Sequence, residues 1–532
     1  MILDSGYVRA LPIADIVSLT LRADYSLEDI GCGVERVDTP VKAKGIYQVM
    51  CSRLLRRKED FGGVGPNGSA ATLIKSLLFT AVRAPIVLAV TVAVLLRAAA
   101  MLGYQRAFWY GDSLDYVTNA LQVFPGTVKP LGYSIFLRVL LPFHSSVLVA
   151  AIQHVMGLGI GILIYGLLRR WQVRPMLAVA AALPIFLDPR QLAMEHSLLS
   201  ETLFTFCLTG AVVVTLWRRR LTGPAAVVAG LLLAAATLTR SIGMPLVVLY
   251  LALLPVQRVR FRALLAAIAS CLIPLFAYGL WFQAHHGVLA LGASDGMILW
   301  GRTMSFADCA KIRPPTVLVP LCPRKHPVHS IWSDPNAWFY ATGNSPMSPD
   351  NNSLARQFAL RAFVSQPVDY ALIVVRDFAL TFLTNDPPVT ESIWLFSVAK
   401  YIGVEPRAVD VAEAYGYEGT FNGITPFWTF LERYQYWIFL PGLGLLAVMV
   451  APVVFAVRYK RLSIPALIPW TMAITLVMLA VALGPEYRYL LPAVPLACIA
   501  LALTMAHTNA VRTTTTGATA INGTHAEAAS SG

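Results

Sequence analysis

Charged residues are scarce in this chain of 532 residues, since Asp, Glu, Lys and Arg make up only 13% of it. A soluble globular domain carries about a quarter of such residues, so the scarcity excludes that class. The mean hydropathy of +0.63 also excludes a disordered chain, because disorder requires low hydrophobicity. Only seven cysteines occur, too few for a small disulfide-stapled scaffold. With 57% hydrophobic residues, the chain is expected to lie in a lipid bilayer.

A cleavable signal sequence is also missing. Residues 1–40 have no basic start followed by an apolar core, and the first long apolar run begins near Ala84. We therefore expect the N-terminal segment 1–83 to stay in the cytoplasm, together with a disordered tail at 507–532. The net charge of +13 is attributed to cytoplasmic loops of a membrane protein, and no nucleic-acid partner is expected.

About ten segments are candidate membrane spans, since a spanning helix needs roughly 20 mostly apolar residues. They are 84–102, 145–168, 175–188, 201–217, 224–239, 243–256, 263–282, 434–457, 463–483 and 489–506. Four clusters hold twelve Lys and Arg residues and no acid, at 169–174, 218–220, 258–262 and 458–461. The positive-inside rule places all four clusters in the cytoplasm. Each interval between clusters then crosses the membrane an even number of times, which predicts an all-α multi-pass protein of the cell membrane.

This topology also predicts the domain organisation. A transmembrane module at 84–282 carries a first outer loop at 103–144, an extracytoplasmic region of mixed structure follows at 283–433, and C-terminal helices occupy 434–506. The remaining outer tips are 188–201, 239–242 and 484–488. Within the outer region, the apolar stretch 370–383 fits either a helix on the membrane surface or a buried amphipathic helix.

The cysteines give one specific prediction. Cys309 and Cys322 are the only two in 283–433, and an extracytoplasmic compartment permits disulfides. We predict that they pair, the alternative being two unpaired thiols. Cys207, Cys271 and Cys498 fall within spans and are expected to act as small apolar side chains.

No cofactor is predicted with certainty, and a divalent cation is left open. The sequence has no Cys-x-x-Cys and no mixed Cys/His cluster that would indicate zinc. His326 and His329 are three residues apart but have no evident third ligand.

The first outer loop carries a group of polar and aromatic residues that suits a sugar. It holds Asp112, Asp115 and Tyr116, followed by Lys129 and Tyr133. Sugar faces stack on aromatic rings, and sugar hydroxyls donate to a carboxylate. The alternative role for Asp112, directly after a glycine, is that of a helix N-cap.

The other short tips add further charged candidates. Glu201 fits the start of a helix, where its charge complements the helix dipole. Glu195 and His196 are interpreted as a second acidic or proton-carrying element that faces the first loop. Arg240 fits a phosphate ligand, because guanidinium is the preferred partner of phosphate, or a side chain that snorkels to the interface. Arg488 and Tyr489 stand where the last span meets the outer interface.

The order of these motifs resembles that of GT-C fold glycosyltransferases that use polyprenyl-phosphate sugars. The protein O-mannosyltransferase and lipid A aminoarabinose transferase families are the nearest groups. The resemblance covers about 84–506 and rests on four motifs: Asp112 with Tyr116, Lys-Pro-Leu-Gly-Tyr at 129–133, Leu-Thr-Arg at 238–240, and Arg-Tyr-Leu-Leu-Pro at 488–492. This chain has Ser113 where those families usually place a second acid after the first.

The resemblance implies an inverting sugar transfer on the extracytoplasmic face. Asp112 would be the general base, while Lys129, Arg240 and Arg488 would hold the phosphate. Glu195 or Glu201 would orient the sugar or the acceptor. The implied partners are a polyprenyl-phosphate sugar donor, membrane lipids and an acceptor that the sequence does not identify. A transporter or flippase of lipid-linked or polar substrates is the main alternative, and a scaffold with an outer domain for protein partners is a third.

Overall fold

The computed structural model describes residues 69–323, 348–383, 408–417, 423–460, 463–484 and 487–506, with side chains from Ala84 onward. The chain divides into two units, Met1–Leu78 and Phe79–Gly532, and the described side chains all belong to the second. The predictions for the tail, for residues 1–68, and for His326 and His329 concern positions outside the described residues.

Every regular element of the described residues is helical, which confirms the all-α prediction for that part of the chain. The helices are α1 (Ser69–Gly103), α2 (Gly111–Gln122), α3 (Gly132–Leu140), α4 (Ser146–Arg170), α5 (Pro175–Leu187), α6 (Pro189–Glu195), α7 (Glu201–Leu216), α8 (Gly223–Thr239), α9 (Gly243–Leu253), α10 (Phe261–His286), α11 (Asp295–Thr303), α12 (Cys309–Ile312), α13 (Pro349–Ser365), α14 (Pro367–Leu383), α15 (Val409–Ala414), α16 (Phe427–Tyr434), α17 (Gly442–Arg458), α18 (Ile464–Leu483) and α19 (Tyr487–Ala506). Short 3₁₀ turns occur at Leu141–Phe143 and Thr316–Leu321. The mixed structure expected for 283–433 is not confirmed, because its described part contains helices and no strand.

Five helices are long and apolar enough to cross a membrane: α4, α10, α18, α19 and the Ala84–Gly103 part of α1. Two bent pairs, α5 with α6 at 56° and α13 with α14 at 95°, raise the number to seven if each pair is one span. By contrast, α8 and α17 have 17 residues each and α9 has 11. A helix of that greater length reaches about 25 Å, short of the roughly 30 Å bilayer core. The prediction of ten spans is therefore not confirmed.

Small residues bring neighbouring helices of the core into close contact. A methyl group added at Gly230 of α8 would lie 2.1 Å from Ser270 Oγ on α10. Similarly, a Cβ at Gly161 of α4 would lie 2.2 Å from the ring of Phe186 on α5. Within a bilayer, such residues allow the backbones of two helices to approach closely. The result is one apolar core shared by these helices.

A buried ion pair joins α11 to α14 within 283–433, and its arginine also contacts α18. Arg302 of α11 donates to Asp377 Oδ2 of α14 at 2.6 Å, and a second guanidinium nitrogen lies 3.4 Å from the carbonyl oxygen of Val481 on α18. Both partners of the pair are almost fully buried. The stretch predicted at 370–383 lies in α14, which buries Asp377 while its apolar Val375 is exposed.

Two predictions about cysteine are confirmed. Cys309 and Cys322 form a disulfide, with their Cα atoms 6.1 Å apart. The three cysteines expected inside spans are unpaired and buried: Cys207, Cys271 and Cys498.

Candidate active site

Asp112 is held between two cations at the start of α2. Its Oδ1 lies 2.5 Å from Lys129 Nζ, and its Oδ2 accepts a hydrogen bond from Arg488 Nη1 at 2.8 Å. Burial acts to raise the pKa of Asp112, but the two cations outweigh it and hold the pKa well below its usual range. The side chain is still 28% exposed. Asp112 is therefore an ionised carboxylate within reach of solvent.

The helix N-cap is Tyr110, so the cap interpretation of Asp112 is wrong. Ser113 Oγ accepts a hydrogen bond from the Tyr110 backbone N–H at 2.9 Å, so the N–H of the capping residue has a partner, as in a capping box. Asp112 is the second residue of α2 and lies in its first turn, where the helix dipole favours a negative charge. Its carboxylate is thereby left to the neighbouring cations.

A second ion pair stands beside the first. Arg240 directly follows α8, and its Nη1 lies 2.5 Å from Glu201 Oε1 in the first turn of α7. Arg488 Nη1 lies 3.7 Å from the same carboxylate oxygen. Arg488 therefore connects the two pairs into a row of alternating charge, which we call the charge row: Lys129, Asp112, Arg488, Glu201 and Arg240.

Tyrosine rings border the charge row. Tyr489 lies beneath both Arg240 and Arg488, whose guanidinium carbons are 5.1 and 4.9 Å from the ring centre. Tyr116 lies beneath Lys129 at 4.7 Å, and its hydroxyl is 2.7 Å from Ser200 Oγ. Burial raises the pKa of Tyr116, so its hydroxyl stays protonated at neutral pH.

Tyr133 packs against Tyr116 and holds its ring in place. Its ring packs edge-on against Tyr116 at 4.8 Å, and its hydroxyl donates to Gln153 Oε1 at 2.9 Å. The preceding residue, Gly132, makes the arrangement feasible, because a Cβ there would lie 2.6 Å from the carbonyl of Leu238. The glycine thus lets the first loop approach the end of α8.

Asp115 is the other acid of the first loop. It is half-buried one turn after Asp112. Burial raises its pKa, and the charge of Asp112 adds to the effect, while Lys129 opposes it. Asp115 therefore holds a proton more readily than an exposed aspartate does.

Glu195 and His196 do not join the charge row. Glu195 is fully buried, with Oε1 at 2.8 Å from Arg97 and Oε2 at 2.9 Å from His154 Nδ1. His154 Nε2 is in turn 3.1 Å from His196 Nδ1. His196 Nε2 lies 2.9 Å from the carbonyl oxygen of Arg106, so this inner cluster fixes the backbone of the first loop from the core side.

Sequence reasoning missed several residues of this region. Ser200 accepts a hydrogen bond from Arg240 Nη1 at 3.2 Å and contacts the Tyr116 hydroxyl, but a serine before a helix carries no distinctive signal. Arg97 and His154 carried a clear sequence signal, since a charged or ionisable residue within an apolar span is costly and needs a partner. Among the described residues, no group of three His, Cys, Asp or Glu side chains is placed to hold a metal ion.

Comparison with known proteins gives little further information. No protein-family model matches the chain, and no curated protein matches its sequence. Among solved structures, the apo crystal structure of the Archaeoglobus fulgidus oligosaccharyltransferase is similar, with a TM-score of 0.38 and 15% sequence identity. The match covers 80% of this chain and 50% of that protein, so this chain spans about half the length of its structural neighbour. A TM-score this low defines neither the fold nor the activity of this chain.

Proposed function

We propose that this chain is a membrane glycosyltransferase that moves a sugar from a polyprenyl phosphate to an acceptor on the extracytoplasmic face. The observation that carries the proposal is the charge row, in which three cations and two carboxylates alternate between the first loop and the ends of α7, α8 and α19. An excess of one positive charge within a row bordered by tyrosines suits a ligand that joins a phosphate to a sugar.

The donor phosphate would bind to the cations of the charge row. Arg240 and Arg488 offer planar guanidinium groups that match phosphate oxygens, and Lys129 offers an ammonium group. The same groups would stabilise the negative charge that grows on the phosphate as it leaves. The prenyl tail would lie among the apolar helices, where a lipid loses no hydration.

Donor binding would also activate the base. At rest, Asp112 neutralises Lys129 and Arg488, and a carboxylate with a depressed pKa is a weak base. When a phosphate binds Lys129 and Arg488 in place of Asp112, the carboxylate loses its ion pairs. The pKa of Asp112 then rises towards its ordinary value. The base therefore becomes effective when the donor is in place.

The reaction would then proceed by inversion. Asp112 takes the proton of an acceptor hydroxyl, whose oxygen bonds to the anomeric carbon from the side opposite to the phosphate. The bond from that carbon to the phosphate oxygen breaks, and the polyprenyl phosphate leaves with the electron pair. No acid is needed for the leaving group, in contrast to a glycosidase. Tyr489, which is half-buried, would provide a face on which the sugar stacks, whereas Tyr116 is buried beneath Lys129 and would hold that cation in place.

The deciding experiment compares the wild type with Asp112→Asn in cells that supply the natural donor and acceptor. Loss of a general base should lower transfer by roughly 10²- to 10⁴-fold, so polyprenyl-phosphate sugars accumulate and glycosylated products disappear in mass spectrometry. Asp350→Asn is the matched control, because Asp350 is exposed in the first turn of α13, a helix that packs against α11, α12 and α14 and not against α2. Unchanged lipids and glycans in cells carrying Asp112→Asn would refute the proposal.

One observation favours a transporter instead. Arg97, Glu195 and His154 are ionisable groups buried together within membrane-length or bent helices, and such groups often mark the pathways of carriers. A carrier would move a labelled polar substrate across proteoliposomes with Asp112→Asn as well as with the wild type. It would lose that flux with Glu195→Gln.

A further inference from the structure

A large cleft opens at the ends of α4 and α7, away from the charge row. Its volume is about 740 Å³. Glu201, in the charge row, begins α7, whereas the cleft lies at the other end of the same helix. Since α7 has 16 residues, the two sites are about 24 Å apart along its axis. The cleft is lined by two tryptophans and four arginines: Arg169, Arg170, Trp171, Trp217, Arg218 and Arg219.

The composition of the cleft is strongly biased to one charge. Among the described residues that line it, none is acidic. Four guanidinium groups around a single cavity repel one another unless an anion stands between them. The cleft therefore has the electrostatics of an anion site, and guanidinium groups match phosphate in particular.

The tryptophans hold two of the four arginines in place. The guanidinium carbon of Arg170 lies 5.5 Å from the ring centre of Trp217, and that of Arg219 lies 5.7 Å from the ring centre of Trp171. Trp171 is itself anchored, since its Nε1 donates to the carbonyl oxygen of Leu216 at 2.8 Å. Each helix end thus contributes one ring and places an arginine of the other end upon it, so the cavity is built by contacts between the two.

The position of the cleft matches the level of lipid headgroups. α4 has 25 residues and is long and apolar enough to cross a membrane. Tryptophans and arginines concentrate where such a span leaves the hydrocarbon region. The apolar side chains of Val155 and Ile162, on the same helix, are at least half exposed and would face acyl chains. A ligand with both a phosphate and acyl chains would satisfy the cleft and the helix face together.

We propose that this cleft binds the phosphate headgroup of an anionic membrane phospholipid. Basic pockets between transmembrane helices are suited to anionic headgroups, and each Lys or Arg near such a surface strengthens the attraction. Binding there would tie the ends of α4 and α7 together on the side of the helices away from the charge row.

The test uses the full-length protein in phosphatidylcholine vesicles that contain a minority of brominated phosphatidylglycerol. Bromine quenches nearby tryptophan fluorescence, and the double variant Trp171→Phe with Trp217→Phe measures how much of the quenching arises in the cleft, since the chain has 11 tryptophans. The affinity for the brominated lipid, measured from the cleft-derived quenching, should fall roughly twenty- to thirty-fold in the double variant Arg218→Gln with Arg219→Gln. Both arginines are exposed, so the variant should fold.

Arg260→Gln with Arg262→Gln is the matched control. These arginines are also exposed, and their replacement removes the same amount of charge from a different helix end. A selective loss in the cleft variant supports the proposal. Equal losses in both variants would show diffuse surface attraction and overturn it. Equal quenching by brominated phosphatidylcholine, or full competition by inorganic phosphate, would also overturn it, because the site would then not select an anionic lipid.

Discussion

Arg488 donates a hydrogen bond to Asp112 at 2.8 Å, although 376 residues separate them in the chain. The contact joins the first turn of α2 to the start of α19. It closes the charge row between the first loop and the last helix of the described chain. The row therefore forms only when these two distant segments are folded against each other.

Replacing Arg488 by Gln should change how stability depends on pH. The cations depress the pKa of Asp112 in the folded state, so this ion pairing stabilises the fold above the unfolded pKa of about 3.9 and is lost as the pH falls through the lower folded value. With one cation removed, the folded pKa is depressed less. The melting temperature of Arg488→Gln should lie below that of the wild type at neutral pH, and the difference should shrink below about pH 4.

Arg361→Gln serves as the control for this measurement, because Arg361 is exposed on α13. Its melting temperature should follow that of the wild type across the pH range. A deficit of Arg488→Gln that stays constant down to acidic pH would show that the arginine acts through packing and not through the charge of Asp112.

Removing one partner of the buried pair Arg240–Glu201 should separate structure from donor binding. Arg240→Gln leaves Glu201, whose side chain is 3% exposed, without its nearest cation, which we expect to cost about 3 kcal/mol of folding stability. Adding Glu201→Gln removes this buried carboxylate, which then has only Arg488 at 3.7 Å, and should restore most of the melting temperature. Transfer should stay impaired in the double variant, with a raised KM for the lipid donor. Recovery of both properties together would show that Arg240 has only a structural role.

Part of the candidate site was predictable because its residues stand at helix ends. An acid or base at the end of an apolar run is expected near an interface, so Glu201, Arg240 and Arg488 could be expected close to the first loop. The structure brings them together with Asp112 and Lys129. Their catalytic and binding roles stay predictions.

Other features could not be derived from local patterns. Asp112 and Ser113 are both residue types that favour the N-cap position, and only the backbone geometry shows that Tyr110 is the cap. Glu195 ends a short helix whose direction depends on a 56° bend after α5, so its side chain turns into the core, away from the first loop. The length of some spans was overestimated, because hydropathy does not show where a turn interrupts an apolar run. In the predicted span 434–457, for example, α17 begins only at Gly442.

A methyl group at Gly157 should disturb the inner cluster. The Cβ of Gly157→Ala would lie 1.7 Å from Glu195 Oε1, so the carboxylate must move away from Arg97. Breaking a buried ion pair costs about 3–5 kcal/mol, and we expect a large fall in melting temperature. Gly166→Ala in the same helix is the control, because its Cβ meets Trp217 at an ordinary 3.6 Å; it should be neutral or gain up to about 1 kcal/mol. Similar melting temperatures for the two variants would contradict the placement of Glu195.

The disulfide should be detectable directly. Without reductant, Cys309 and Cys322 should resist alkylation and appear as one cross-linked peptide in mass spectrometry. Replacing both by Ser should lower stability by about 3 kcal/mol if the closed loop of 13 residues acts mainly on the unfolded chain. Cys271→Ser is a control that leaves the bond intact. Alkylation of both thiols in the native oxidised protein would contradict the pairing.

The proposal that phosphate displaces Asp112 predicts opposite effects of one substitution on binding and on turnover. In Asp112→Asn the internal anion is gone, so Lys129 and Arg488 are available to a phosphate at once. We expect the affinity for farnesyl phosphate, measured by calorimetry in detergent, to rise about five-fold, equivalent to ~1 kcal/mol for a partly exposed ion pair. Sugar transfer should fall in the same variant, while Asp350→Asn changes neither. Weaker binding of farnesyl phosphate by Asp112→Asn would mean that the carboxylate helps to hold the donor, and displacement as the activating step would be wrong.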